Sequence, residues 1–315
     1  MVIINLIISI LFLFLLIKGA ESSVRYSSKL AKILHISEFI VSFFIVGIIS
    51  ILPEATIAII SAIKGNPQLG FGTLVGANIA DLTLTLGIVA LFSSKGIKIE
   101  SKILKNNLFY LGLLIIPLIL SLDGNLNRFD GGMLITVGLL FYIKIYQDNN
   151  KFKRKPTNKI KGPPIKYIFL LVASISVILI SAFFIVKHST NLAYELKIPS
   201  VLIGITIIAL GTCLPELIFS IKAIRKNKDN LAIGDILGTV IIDATIILGI
   251  VSLISPFSYE SINFISTNSA RFLAGIFVVI FMRTNHVINK KEGIILILSY
   301  IFYLFTEFFL NGIKV

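Results

Sequence analysis

Ten long apolar stretches leave this chain few ways to fold. They run at about 2–17, 37–63, 69–93, 104–122, 129–146, 166–186, 198–224, 231–254, 264–284 and 292–310. Each comes close to the roughly 20 residues that a membrane-spanning helix needs. Membrane β-strands would be about ten residues long and alternate in polarity, which none of these stretches does. With 56% hydrophobic residues, 14% charged residues and a mean hydropathy of +0.96, the chain lies outside the soluble globular range. The expected fold class is all-α, a polytopic membrane protein of ten transmembrane helices. No positive charge precedes the first stretch and no small-residue cleavage site follows it, so it reads as a retained helix. The single cysteine, Cys213, excludes an internal disulfide.

Inside this apolar frame one short pattern occurs twice. Leu52-Pro53-Glu54, Gly72, Gly76, Asp81 and Gly87 recur as Leu214-Pro215-Glu216, Gly234, Gly238, Asp243 and Gly249, always 162 positions later. Asp130-Gly131 and Glu292-Gly293 keep the same offset. The division expected is a first repeat at 1–146, a basic linker at 147–165 and a second repeat at 166–315. Five helices per half is an odd number, so the second repeat is inverted relative to the first. Inverted repeats are the plan of many secondary transporters, with substrate near the midplane where the repeats meet.

The net charge of +13 points to topology rather than to nucleic acid. Only Lys64, Arg128, Lys187, Lys197, Arg271 and Lys314 fall on one side of an alternating ten-helix arrangement, leaving 23 of the 29 basic residues on the other. The positive-inside rule then places both termini outside and the linker in the cytoplasm of a plasma-membrane protein. The same charge gives weak attraction to anionic lipid, so the bilayer is an expected partner and nucleic acid is not.

Four carboxylates in apolar stretches are costly and mark a functional site. Pro53 and Pro215 each remove a helical hydrogen bond, which is expected to free carbonyls around 47–50 and 209–212. Freed carbonyls beside Glu54 and Glu216 make a hard-oxygen site suited to Ca²⁺ or Na⁺. Asp81 and Asp243 fall near the bilayer centre, with Asn78 and Thr239 nearby as neutral oxygen donors. The small-residue spacing Gly72/Gly76 and Gly234/Gly238 lets helices approach closely. Carboxylates crowded like this cannot all stay ionised when empty, so protons are held until a cation displaces them.

The paired Leu-Pro-Glu segments and the following Gly-x-x-x-Gly helices resemble the α-repeats of the sodium/calcium exchanger family, across effectively the whole chain. The resemblance implies an antiporter, not an enzyme, that works by alternating access as the first two helices slide against an eight-helix core. It implies Glu54 and Glu216 as central Ca²⁺ ligands, helped by Gly47, Ser50, Ala209 and Thr212 and flanked by Asp81 and Asp243. No cofactor is expected beyond the transported ions, and a monomer suffices; the oligomeric state is left open.

The departures from that family pattern concern sodium. Ile51, Ala77, Cys213 and Val240 stand where sodium-coupled members carry serine or asparagine, and Ile51 and Ala77 have no side-chain oxygen. Asp81 and Asp235 stand where asparagine is common. At least one Na⁺ site is thus expected to be dismantled, favouring exchange of a divalent cation for protons. Sodium coupling with fewer Na⁺ sites remains the alternative, and an intramembrane aspartyl protease a remote one. His35, His188 and His286 are expected at helix ends or loops, and Arg271 is expected to snorkel outward.

Overall fold

The computed structural model describes residues 1–33, 51–99, 107–149, 163–225, 229–258, 261–284 and 286–312. Gly47, Ser50 and His35, and most of the linker, lie outside the described residues. Among the described residues ten helices follow in order: α1 (Val2–Ile33), α2 (Leu52–Ile63), α3 (Pro67–Phe92), α4 (Asn107–Leu120), α5 (Arg128–Asn149), α6 (Pro164–Leu196), α7 (Ser200–Arg225), α8 (229–254), α9 (Ser261–Arg283) and α10 (Lys290–Gly312). Segments within α1, α3, α6, α7 and α8 are long and apolar enough to cross a membrane.

Helices α1 and α6 outrun their apolar stretches, reaching Ile33 and Leu196. Hydropathy marks only the part suited to lipid, whereas backbone hydrogen bonding continues into the polar part. In α1 that continuation carries a Lys18–Glu21 ion pair at 2.8 Å, one helical turn apart. These two helices pack along each other, with Phe12 stacked on Phe184 at a centroid separation of 4.4 Å. Among the described residues α1 packs chiefly on α6, the first helix of the other repeat, and α2 chiefly on α3.

The bundle is layered by burial. In their most apolar windows α3 and α8 are 83% and 72% buried, against 33% for α1 and 28% for α6. Large apolar side chains face outward, as Leu298, Ile301, Phe302 and Phe305 do on α10. Polar groups lie inside, an arrangement that suits a lipid surround.

The duplication is visible as matched contacts. Gly87 lies against the Gly293 backbone, and its counterpart Gly249 against Gly131, so that a Cβ on either would meet a carbonyl oxygen at 2.7 Å. Asn127 and Asp130 form reciprocal hydrogen bonds at the start of α5, at 2.9 and 3.1 Å. Asn289 and Glu292 repeat them at the start of α10, at 2.8 and 3.0 Å. This is a capping box, which satisfies N–H groups that the first turn leaves free.

Two small antiparallel ladders also join the halves: β1 (Ile97–Lys98) with β4 (Val287–Ile288), and β2 (Asn125–Leu126) with β3 (Phe257–Ser258). The apolar stretches gave no hint of these strands. They lie in interhelical loops, where one loop's free backbone groups pair with those of the other half. Each ladder joins loops of the same parity, which fits the alternating path expected of the ten helices.

Candidate functional site

Proline sets the entry to both acidic segments. Ile51, before Leu52-Pro53-Glu54, has φ −76° and ψ −16°, and Cys213, before Leu214-Pro215-Glu216, has φ −76° and ψ −8°. Both remain right-handed, and their carbonyls accept from Ala55 N and Leu217 N, each at 3.0 Å. Pro53 sits in the first turn of α2, and Pro215 follows a turn at Cys213 inside α7, where it offers no N–H to the Gly211 carbonyl four residues back.

Of the carbonyls expected to be released over 209–212, that of Ala209 is not free: Ala209–Thr212 is a helical turn, and the Ala209 carbonyl accepts from Cys213 N and Thr212 Oγ1, both at 3.1 Å.

Backbone irregularity appears instead as five-residue π-helical turns, a form common at functional sites. Asp81–Thr85 and Asp243–Ile247 are such turns at equivalent places, and Gly204–Ile208 is a third, just before Ala209. In the matched pair the Thr83 and Thr245 hydroxyls donate to the Ile79 and Ile241 carbonyls, each at 2.5 Å. The repeated Asp-x-Thr was the only trace of these turns in the sequence.

Close packing holds α3 against α7. Added Cβ atoms on Gly72 and Gly76 would run into the backbone at Val201 and Ile205 respectively. No larger residue fits without separating the helices that carry Asp81 and Glu216.

The sequence-selected carboxylates are all buried, with Glu54 2% exposed, Glu216 and Asp81 1%, and Asp243 0%. Among the described residues, Glu54 Oε2, both Glu216 oxygens, Asp81 Oδ1 and both Asp243 oxygens have no hydrogen-bond partner, nor do the Asn78 amide and the Thr239 hydroxyl. Glu54 lies in the electrostatic field of Glu216, Asp243 and Asp81, and Glu216 in that of Asp81, Asp235 and Asp243. In this conformation no three His, Cys, Asp or Glu side chains among the described residues are close enough to grip an ion. The carboxylates share one electrostatic centre without forming a closed ligand shell.

The two aspartates have different neighbours. Asp81 lies beside the Thr85 hydroxyl and the Cys213 thiol, whose Sγ donates to the Ala77 carbonyl at 3.5 Å. Thr85 and Cys213 also line a recess of about 240 Å³, otherwise formed by Leu84, Leu210, Gly211, Leu214 and Leu217. Asp243 lies in the field of Arg271, which is wholly buried and not directed outward as expected. The correction has a physical cause. Arg271 lies ten residues inside α9, too deep to snorkel, and Asn268 Oδ1 accepts from its Nη2 at 2.6 Å.

Asp235 is half-buried and acts electrostatically on Asp81 and Glu216. His188 lies inside α6, not at its end, with Nδ1 at 2.7 Å from Asn5 Oδ1. His286 occupies a turn with φ 54°. Sequence reasoning also passed over Tyr110 and Tyr300, whose buried hydroxyls have no hydrogen-bond partner. Nothing in the spacing of the aromatic residues separates these two from the rest.

A family model described as sodium/calcium exchanger protein matches residues 4–145 and 166–309. The sodium/calcium exchanger MaX1 of Methanosarcina acetivorans is 26% identical, over 98% of this chain and all of that one. The inner membrane protein YrbG of Escherichia coli is 27% identical, over 96% of each chain. The solved structure of the sodium-calcium exchanger NCX_Mj soaked with 2.5 mM Na⁺ and 0.1 mM Sr²⁺ superposes with a TM-score of 0.68. That match is at 25% identity and covers 97% of this chain and 99% of that one.

Proposed function

The chain belongs to the sodium/calcium exchanger family and is a multi-pass membrane antiporter of the cation/calcium type, not an enzyme; on that premise we propose that it exchanges Ca²⁺, or a similar divalent cation, for protons by alternating access. The observation that carries this reading is the set of six buried side chains, Glu54, Asn78, Asp81, Glu216, Thr239 and Asp243, each with an oxygen that no group among the described residues satisfies. Buried oxygens without partners are costly unless a cation or proton comes to them. Hard carboxylate and carbonyl oxygens suit Ca²⁺.

In this reading Glu54 and Glu216 hold the divalent ion, and Asp81 and Asp243 flank it. The Ala209 carbonyl and the Thr212 hydroxyl join once the bond between them opens, and Gly47 and Ser50 supply the matching contacts from the first repeat. Repeats at 1–146 and 166–315 meet at this centre, with 147–165 cytoplasmic, both termini outside and the protein in the plasma membrane. The α1–α6 pair slides as a unit against the other eight helices, and the recess ending at Thr85 and Cys213 is one approach to the ion.

Protons are favoured as the counter-ion because Ile51 and Ala77 offer no side-chain oxygen and Cys213 offers only a thiol. A second reading, coupling to Na⁺, has in its favour that MaX1 and NCX_Mj, which this chain resembles, are sodium/calcium exchangers. Protein in liposomes separates the two: Ca²⁺ uptake is expected to follow an imposed pH gradient. Uptake driven by a Na⁺ gradient at clamped pH would remove proton coupling in favour of the second reading.

A further inference from the structure

Among the buried charges that the proposed exchange cycle leaves unused is Arg271 of α9. Its side chain is the largest of those fully buried, at 0% exposure. Nη2 donates to Asn268 Oδ1 at 2.6 Å, and Asn268 Nδ2 in turn donates to Ser121 Oγ at 3.3 Å. Nε and Nη1 have no partner. The groups acting electrostatically on the guanidinium are Asp243 and the Tyr110 hydroxyl. No ion pair within 4 Å joins it to Asp243.

A guanidinium does not give up its proton in a protein. Buried without a direct carboxylate contact, it is tolerated only where negative charge nearby offsets the loss of water. Asp243 supplies that charge across a gap, and both its oxygens stay free for another ligand. The matching position of the first repeat, 162 residues before Arg271, holds Phe109.

We propose that Arg271 is a fixed internal cation that sets ion selectivity, supplying to Asp243 the positive charge a monovalent ion would otherwise bring. The proposal rests on the assignment of Asp243 to the transport site. A divalent ion offsets two of the four carboxylates, and in a dry interior the remainder must also be offset. The tethered guanidinium offsets one without ever leaving. It also repels a Na⁺ ion approaching Asp243, whereas Ca²⁺ held by Glu54 and Glu216 has two anionic ligands of its own.

Ca²⁺ uptake into liposomes at equal, fixed pH on both sides, titrated with Na⁺, tests this in the full-length protein. Arg271→Gln is expected to make uptake sensitive to about tenfold less Na⁺ than the unaltered protein requires. Arg271→Lys is expected to restore the original sensitivity, and adding Asp243→Asn to Arg271→Gln to abolish the gain. An Arg271→Gln protein that transports Ca²⁺ with unchanged Na⁺ sensitivity overturns the proposal.

Should Arg271→Gln alone not fold, Ca²⁺ binding by calorimetry decides between Asp243→Asn and the double variant. The single variant carries surplus positive charge and is expected to bind about tenfold more weakly; equal affinities, or binding lost in both, overturn the proposal. Sodium-driven uptake by the unaltered protein removes proton coupling alone, because Arg271 is judged on the difference between variants.

Discussion

Asp81 and Asp243 stand at the first position of matching π-helical turns, 162 residues apart, yet Asp81 meets a thiol and a hydroxyl where Asp243 meets a guanidinium. Their own helices give them the same depth and burial. Part of the difference lies in the turn itself, where Thr85 is matched by Ile247, and the rest comes from other elements: Cys213 of α7 lies beside Asp81, and Arg271 of α9 acts on Asp243. The repeated pattern fixes the positions of the charges, and residues that differ between the halves change what each position meets.

The largest expected effect tests whether the two halves share one site at all. Glu54→Gln and Glu216→Gln should each cut divalent flux by about 100-fold or more, since each removes one of two central charged ligands. The fold should survive, because an amide fills the same volume. Normal flux in either folded variant would separate that half from the transport pathway.

Next in size is the contrast between the aspartates. Asp243→Asn leaves Arg271 buried without its compensating charge and should destabilise the protein by about 3 kcal/mol. Asp81→Asn keeps a side-chain oxygen for Thr85 and Cys213 and should cost about 1 kcal/mol. Thermal unfolding in detergent measures both, and equal losses would break the comparison.

The matched glycines should behave alike. Gly87→Ala and Gly249→Ala each push a methyl to 2.7 Å from a carbonyl oxygen of the facing helix. Each should cost about 1–3 kcal/mol, and a clear inequality would show that the two contacts are not equivalent. The smallest effect is expected from Cys213→Ser. It returns a hydroxyl to Asp81 with little change in volume, so stability should move by less than about 1 kcal/mol. Its use is to show whether a hard oxygen there makes Ca²⁺ uptake more sensitive to Na⁺.

Much of this molecule could be read from the chain. The ten apolar stretches, the 162-residue offset and the depth of the four carboxylates depend on local composition and spacing, which hydrophobic burial and helical rise translate directly into structure. Asp130 and Glu292 were paired by offset alone, and the structure shows what they do, each closing a capping box. Arg271 was misread although the rule that flagged the carboxylates applied equally to it. An arginine ten residues inside an apolar helix is as costly as a buried Asp, but its long side chain suggested an escape to the surface.

The sequence by itself determined that this is an all-α membrane protein with two related halves and an acidic centre. Hydrophobicity and periodicity are properties of neighbouring residues, so they survive without knowledge of the fold. Only the tertiary structure decided that α1 pairs with α6 and that Arg271 turns inward. Each of those depends on groups brought together from distant parts of the chain. The field around a buried charge is the sum over all such neighbours, and no stretch of sequence contains that sum.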